Sequence, residues 1–201
     1  MTTETPDFGG AYAVIGYGSL IWDLEILAPH VELPWHIGAG PALPMEFSRI
    51  SPKRLLGLVV VLDPEHGSEC LTHAVRSVRD NIETVAEDLR ARERASDLAF
   101  IGAVCLRTGF ARAHDARVID LIGSWCETVN AAGAVWTDLP RNFAEHTGAP
   151  FTLPAAYAYL QTLSGDSLRE AVRYIENAPA ETDTPLRRML ARDKWWRELP
   201  R

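Results

Sequence analysis

Apolar and polar positions along the chain follow two periods. Ala11 to Ile15 is an apolar run that stops at a glycine. Trp35 to Ala39 and Met45 to Ile50 read as further strands, broken by a turn at Gly38-Ala39-Gly40-Pro41. Leu55 to Leu62 is almost wholly apolar and predicts a central strand. After the turn Pro64-Glu65-His66-Gly67, Cys70 to Val75 alternates apolar with polar, which predicts its antiparallel partner. Phe100 to Leu106 and Ala134 to Thr137 complete the strand set.

Helical spacing takes over elsewhere. Asp80 to Glu93 predicts a helix, with Asp80 as N-cap and Glu83 three residues on, as in a capping box. Ile82, Val85, Ala86 and Leu89 make its buried stripe. A second helix is predicted from Asp115 to Asn130, capped by Gly133. The last third is helical: Pro154 to Leu163, a helix opened by Asp166 and carrying Ala171, Val172, Tyr174 and Ile175, and one started at Thr184-Pro185. The pattern predicts an α+β fold with a helical C-terminal third. It reads as a flexible segment over 1–10 followed by a single domain over 11–201.

Composition narrows the function classes. The 201 residues suit one good core, and 47% hydrophobic with 23% charged residues is ordinary for a globular chain. A formal net charge of −7 argues against a nucleic-acid surface or an anionic membrane as partner. No apolar run reaches the length of a membrane span. The polar, acidic start Met1 to Pro6 does not read as a signal peptide. Cys70, Cys105 and Cys126 are odd in number and lack metal-ligand spacing, so they read as reduced core thiols of a cytoplasmic protein.

The most informative stretch is Val14-Ile15-Gly16-Tyr17-Gly18-Ser19-Leu20-Ile21-Trp22. A strand runs straight into a turn with two glycines and a serine. Glycine there permits φ > 0 and close approach of a ligand to the backbone. Successive N–H groups of such a turn can converge on one oxygen. A dinucleotide loop fits poorly: Ile21 stands where a third Gly or Ala is needed, no clean helix opens, and no ribose-binding acid follows about 20 residues on.

Glu93 is the second candidate. At about 100° per residue it lies about 20° from Ile82, while Glu83, Glu87 and Asp88 point well away from the apolar stripe. A carboxylate so placed has three fates. It frays to solvent, it pairs with Arg54 or another arginine, or it is held partly desolvated with its pKa raised towards that of a general base.

The Gly16-Tyr17-Gly18-Ser19-Leu20 run resembles the signature of γ-glutamyl cyclotransferase-like proteins, and Ile21-Trp22 matches the glutathione-specific form. Leu89-Arg90-Ala91-Arg92-Glu93-Arg94 is similar to the family's Arg-Glu segment, which carries its catalytic glutamate. The resemblance covers about residues 11–94 and marks a divergent branch. It implies a small, strongly bent or barrel-like mixed sheet flanked by helices. It also implies intramolecular attack of the α-amine of a γ-glutamyl compound on its own γ-carbonyl, giving 5-oxoproline and a released amine or peptide. Glu93 is then the acid-base group, and Gly16, Tyr17, Gly18, Ser19, Leu20 and Trp22 bind a small-molecule substrate, with no metal and no cofactor. The family's substrate-side tyrosine falls on Tyr157 or Tyr159.

Other residues keep two readings. Arg49, with Ser51 beside it at the end of a predicted strand, either clamps a substrate carboxylate or is a surface arginine. Trp22 and Trp35 either wall a pocket or pack in the core. His73 reads as an ordinary polar position and His114-Asp115 as a helix cap. Ser19 has no identifiable histidine partner, so serine hydrolysis is disfavoured. Two other functions stay open: a non-catalytic module that binds a small metabolite, which a surface Glu93 far from Gly18 would favour, and an amide hydrolase using the same glutamate with water.

Overall fold

A computed structural model describes residues 5–200. In chain order the strands are β1 (Tyr12–Gly16), β2 (Val31–His36), β3 (Ala42–Ser51), β4 (Gly57–Leu62), β5 (Ser68–Leu71), β6 (His73–Ser77), β7 (Ile101–Cys105), β8 (Phe110–Arg112) and β9 (Gly133–Thr137). The helices are α1 (Ile82–Glu93), α2 (Ala116–Thr128), α3 (Phe143–Thr147), α4 (Leu153–Thr162), α5 (Gly165–Glu176), α6 (Pro185–Leu190) and α7 (Lys194–Glu198). The protein is α+β, and its C-terminal region is helical. Two compact units can be separated: the described residues up to Leu43 together with Leu71–Leu139, and Pro44–Cys70 together with residues 140–200.

The first unit is built on a six-stranded mixed sheet in the order β2-β6-β1-β9-β7-β8. Only β1 and β9 run parallel; β6 pairs antiparallel with β1 and β2, and β7 with β9 and β8. The α1 stripe is buried as its spacing requires, Ile82, Val85, Ala86 and Leu89 joining Val14, Val75, Ile101 and Val135 in one core. The N-cap of α1 is Asn81 rather than Asp80: its side chain accepts the Glu83 and Thr84 N–H groups. α2 starts at its Asp115 cap as expected, but the left-handed residue after it is Asn130, not Gly133. Gly133 opens β9, where a Cβ would lie 2.1 Å from the Val104 carbonyl oxygen. Of the expected flexible N-terminus, residues 1–4 lie outside the described residues. Phe8 is buried, its N–H bonds Val129 O, and Gly10 N–H bonds Asn130 O.

The second unit holds a three-stranded sheet in the order β4-β3-β5, with helices α3 to α7. Neither sheet closes into a barrel, which corrects the barrel-like expectation. The first sheet ends on β2 and β8, and the second on β4 and β5. Closure needs two partners for every strand, and β2 carries Pro34, whose missing N–H suits an edge. The apolar run at Leu55–Leu62 becomes β4, an edge strand, and β3 is central. A strand apolar on both faces reports burial on both faces, not its place in the sheet. Here α5 packs on β4, bringing Ala171 against Gly57. The alternating run at Cys70–Val75 is not one partner strand. It splits at buried Thr72, which turns its N–H and Oγ1 to Pro41 O; β5 joins the small sheet and β6 the large one.

Glu46 on β3 is fully buried, its carboxylate accepting the Phe47 and Leu186 N–H groups. Burial pushes its pKa up despite those bonds, and the nearby Asp63 charge adds to the rise. A folded pKa above the unfolded one means stability that is complete below the unfolded carboxyl value and is lost as pH rises through the folded value. Unfolding free energy in denaturant is therefore expected to fall between acidic and neutral pH more in the wild type than in Glu46→Gln. Parallel curves for the two proteins would refute this.

Among the described residues no helix is long and apolar enough to cross a membrane. The three cysteines are buried and unbonded to one another, and burial pushes the Cys126 thiol up to about 12.

Candidate functional site

The site grows from the carboxyl ends of the parallel pair. Ile15 on β1 stands opposite Trp136 on β9, so Gly16 and Thr137 leave the sheet at the same end. Gly16 has no room for a side chain: a Cβ there would lie 2.5 Å from the Trp35 ring and 2.8 Å from Ile21 Cδ1. Tyr17 is extended, and Gly18 has φ +56° and opens a 3-10 turn over Gly18–Ile21. The left-handed conformation foreseen for the glycine turn therefore falls on Gly18, where a β-branched residue would be strained. The opening N–H groups of a short helix have no acceptor within it. The Tyr17 side chain does not cap them. Its hydroxyl donates instead to Thr137 O. Ser19 and Leu20 are buried, and Trp22 closes the turn half-buried.

The second half of the site is the end of α1. Arg94 takes the left-handed conformation and returns its N–H to Ala91 O and Arg90 O, so the helix stops directly after Glu93. The Glu93 side chain is 12% exposed. Its Oε1 accepts from Arg92 Nη1 at 2.5 Å and from Thr137 Oγ1 at 3.3 Å. Oε2 accepts no hydrogen bond from the described residues. Arg92 is only 2% exposed. It also donates from Nη2 to Ser19 Oγ at 3.3 Å and from Nε and Nη2 to Asp23 O at 3.2 and 2.6 Å.

The result is a closed ring of contacts. Tyr17 reaches Glu93 through Thr137, and Ser19 reaches it through Arg92. Two residues of the glycine turn, Tyr17 and Ser19, are thus tied to one carboxylate. The arginine partner of Glu93 is Arg92, not Arg54, whose own partner is Glu170 in the second unit. Glu93 is mostly enclosed and is linked to the turn through Arg92 and Ser19, so the surface placement that would favour a pure binding module is not seen.

Sequence reasoning named Arg92 only within the Arg-Glu segment and gave it no role of its own, and it missed Thr137 and the role of the Tyr17 hydroxyl. Arg92 was legible. It stands three residues after Leu89 and seven after Val85, on the flank of the apolar stripe. Thr137 could not be found that way, because its relation to Glu93 depends on the parallel pairing of β9 with β1.

The remaining candidates have the following contacts. Arg49 belongs to β3 of the second unit, where it is half-buried and donates to Pro140 O at 2.5 Å. Burial lowers its pKa, and the Glu145 carboxylate opposes the shift. Tyr157 and Tyr159 are in the same unit, donating to Asp193 Oδ2 and Leu56 O respectively. His73 is wholly buried, and its Nδ1 accepts the Gly38 N–H at 2.8 Å. Asp115 caps α2, while His114 turns to Asp138 with both its N–H and its Nδ1.

A mostly enclosed carboxylate anchored through one oxygen beside a glycine turn can move a proton to and from a group held next to it. Comparison with known protein families, with curated proteins and with solved structures found no match for this chain.

Proposed function

We propose that the protein is a γ-glutamyl cyclotransferase-type enzyme, releasing 5-oxoproline from a γ-glutamyl compound. The observation that carries the reading is the ring that joins Glu93 to both Tyr17 and Ser19 of the glycine turn. The reaction needs no water and no second substrate. The α-amino nitrogen bonds to the γ-carbonyl carbon, and the amide bond to the leaving nitrogen breaks. Glu93 accepts a proton from the attacking amine and returns it to the leaving nitrogen, so the protein ends as it began. Because attack is intramolecular, holding the bent substrate supplies much of the rate. The turn at residues 16–20 grips the glutamyl part, and Trp22 borders it.

The test is a panel of glutathione, γ-glutamyl dipeptides and γ-glutamyl amines, assayed for 5-oxoproline and for free glutamate. Release of 5-oxoproline from one member supports the reading and names the leaving group. Free glutamate alone would replace cyclisation by hydrolysis, with water as nucleophile. Silence across the panel from folded protein would overturn the proposal.

The turn makes its own prediction. In Gly18→Val the new side chain must adopt a left-handed backbone that costs about 1–2 kcal/mol and crowds the ligand's approach. KM is expected to rise at least about tenfold. An unchanged KM would remove the turn from the binding site.

A further inference from the structure

Arg92 is a long charged side chain with almost no access to solvent. A guanidinium carries five N–H donors in a rigid plane. Hydrogen bonds run from this one to Asp23 O, through both Nε and Nη2, to Ser19 Oγ and to Glu93 Oε1. That leaves little with which to grip a substrate carboxylate. The same plane also spans two elements that chain order separates, the glycine turn and the end of α1.

We propose that Arg92 is a positioning residue for the reaction assigned above, fixing Glu93 through Oε1 so that Oε2 is the oxygen that exchanges the proton. The inference rests on that reading. Both anchoring bonds of Glu93, from Arg92 Nη1 and Thr137 Oγ1, fall on Oε1. A carboxylate held by one oxygen presents the other along a fixed direction. Arg92 also carries the turn, through Ser19 and Asp23, at a set distance from the base. Loss of the arginine therefore frees the base and loosens its spacing from the bound glutamyl group, and misplacement of about 1 Å can cost about 10²-fold in rate. Lysine preserves the charge but not the planar fork, so it cannot hold Asp23 O, Ser19 Oγ and Glu93 together.

The experiment compares wild type, Arg92→Lys, Arg92→Ala and Glu93→Gln on the panel member that the wild type cyclises, with rates expressed per folded molecule. Arg92→Lys is expected to lose about 10–10²-fold in kcat with KM changed by less than about threefold. Arg92→Ala leaves a guanidinium-sized space, and millimolar guanidinium is expected to restore its kcat at least about tenfold while leaving wild type and Glu93→Gln unaffected. If both arginine variants keep wild-type kcat per folded molecule and differ only in stability, Arg92 is a structural ion-pair partner and the inference is overturned. It is equally overturned if Arg92→Lys loses activity wholly through KM, or if guanidinium restores nothing. If instead the wild type makes no 5-oxoproline, or Glu93→Gln is fully active, the cyclotransferase reading itself fails and this inference falls with it.

Discussion

Glu93→Gln is expected to fold as the wild type does and to lose at least about 10²-fold in 5-oxoproline release, because general acid-base groups contribute about 10²–10⁴-fold. Glutamine keeps the shape and keeps an oxygen for Arg92 and Thr137, so the ring of contacts survives. What it removes is the proton acceptor: an amide NH2 takes the place of Oε2. The attacking amine must lose a proton to form the new bond, and nothing else in the ring can take one. Arg92 is a permanent cation, and the Tyr17 hydroxyl is committed to Thr137 O. The measurement is kcat beside a denaturant unfolding curve for the same preparation. Undiminished kcat with unchanged stability would place the base elsewhere.

The largest stability effect is expected at Trp136. It is fully buried in β9, one residue before Thr137. Its ring lies so close to Gly102 that a Cβ on that glycine would sit 2.0 Å from Cε2. Replacement of a buried aromatic by alanine costs about 3–5 kcal/mol through lost contact and the cavity left behind. Trp136→Ala is expected in that range. Trp136→Phe should cost less than half as much. It keeps much of the packing and removes the Trp136 Nε1–H, which is buried with no hydrogen-bond acceptor among the described residues. Urea unfolding of the three proteins decides the point. A Trp136→Ala cost below about 1 kcal/mol would mean that the sheet centre relaxes around the gap.

Local elements were largely legible in the chain and their assembly was not. The α1 stripe, the Asp115 cap and the glycine turn after β1 follow from periodicity and from residue chemistry over a few positions. Glu93 was read as inward-facing from the angle it makes with Ile82, and its side chain is indeed mostly enclosed. The failures share one cause. Leu55 to Leu62 revealed that both its faces are covered, but not that a helix covers one of them from far along the chain. Cys70 to Val75 has an unbroken alternation, yet Thr72 is diverted to Pro41 and the run serves two sheets. Asp80 and Asn81 are both good caps, and only backbone geometry chooses between them. The link from Thr137 to Glu93 depends on strand pairing that no local pattern encodes.

The placement of β4 bears on how the chain reaches its fold during synthesis. Its sequence Gly57-Leu58-Val59-Val60-Val61-Leu62 has no charge and no proline, the composition of a segment that pairs readily with copies of itself. It is an edge strand, and the helix that packs on it, α5, begins at Gly165, about a hundred residues later. At about 5–20 residues per second, a ribosome leaves that strand without its cover for roughly 5–20 s. Chains that end before α5 should therefore collect in inclusion bodies. Charged substitutions on α5 that weaken its grip on β4 should lower soluble yield before they lower the melting temperature of whatever protein does fold.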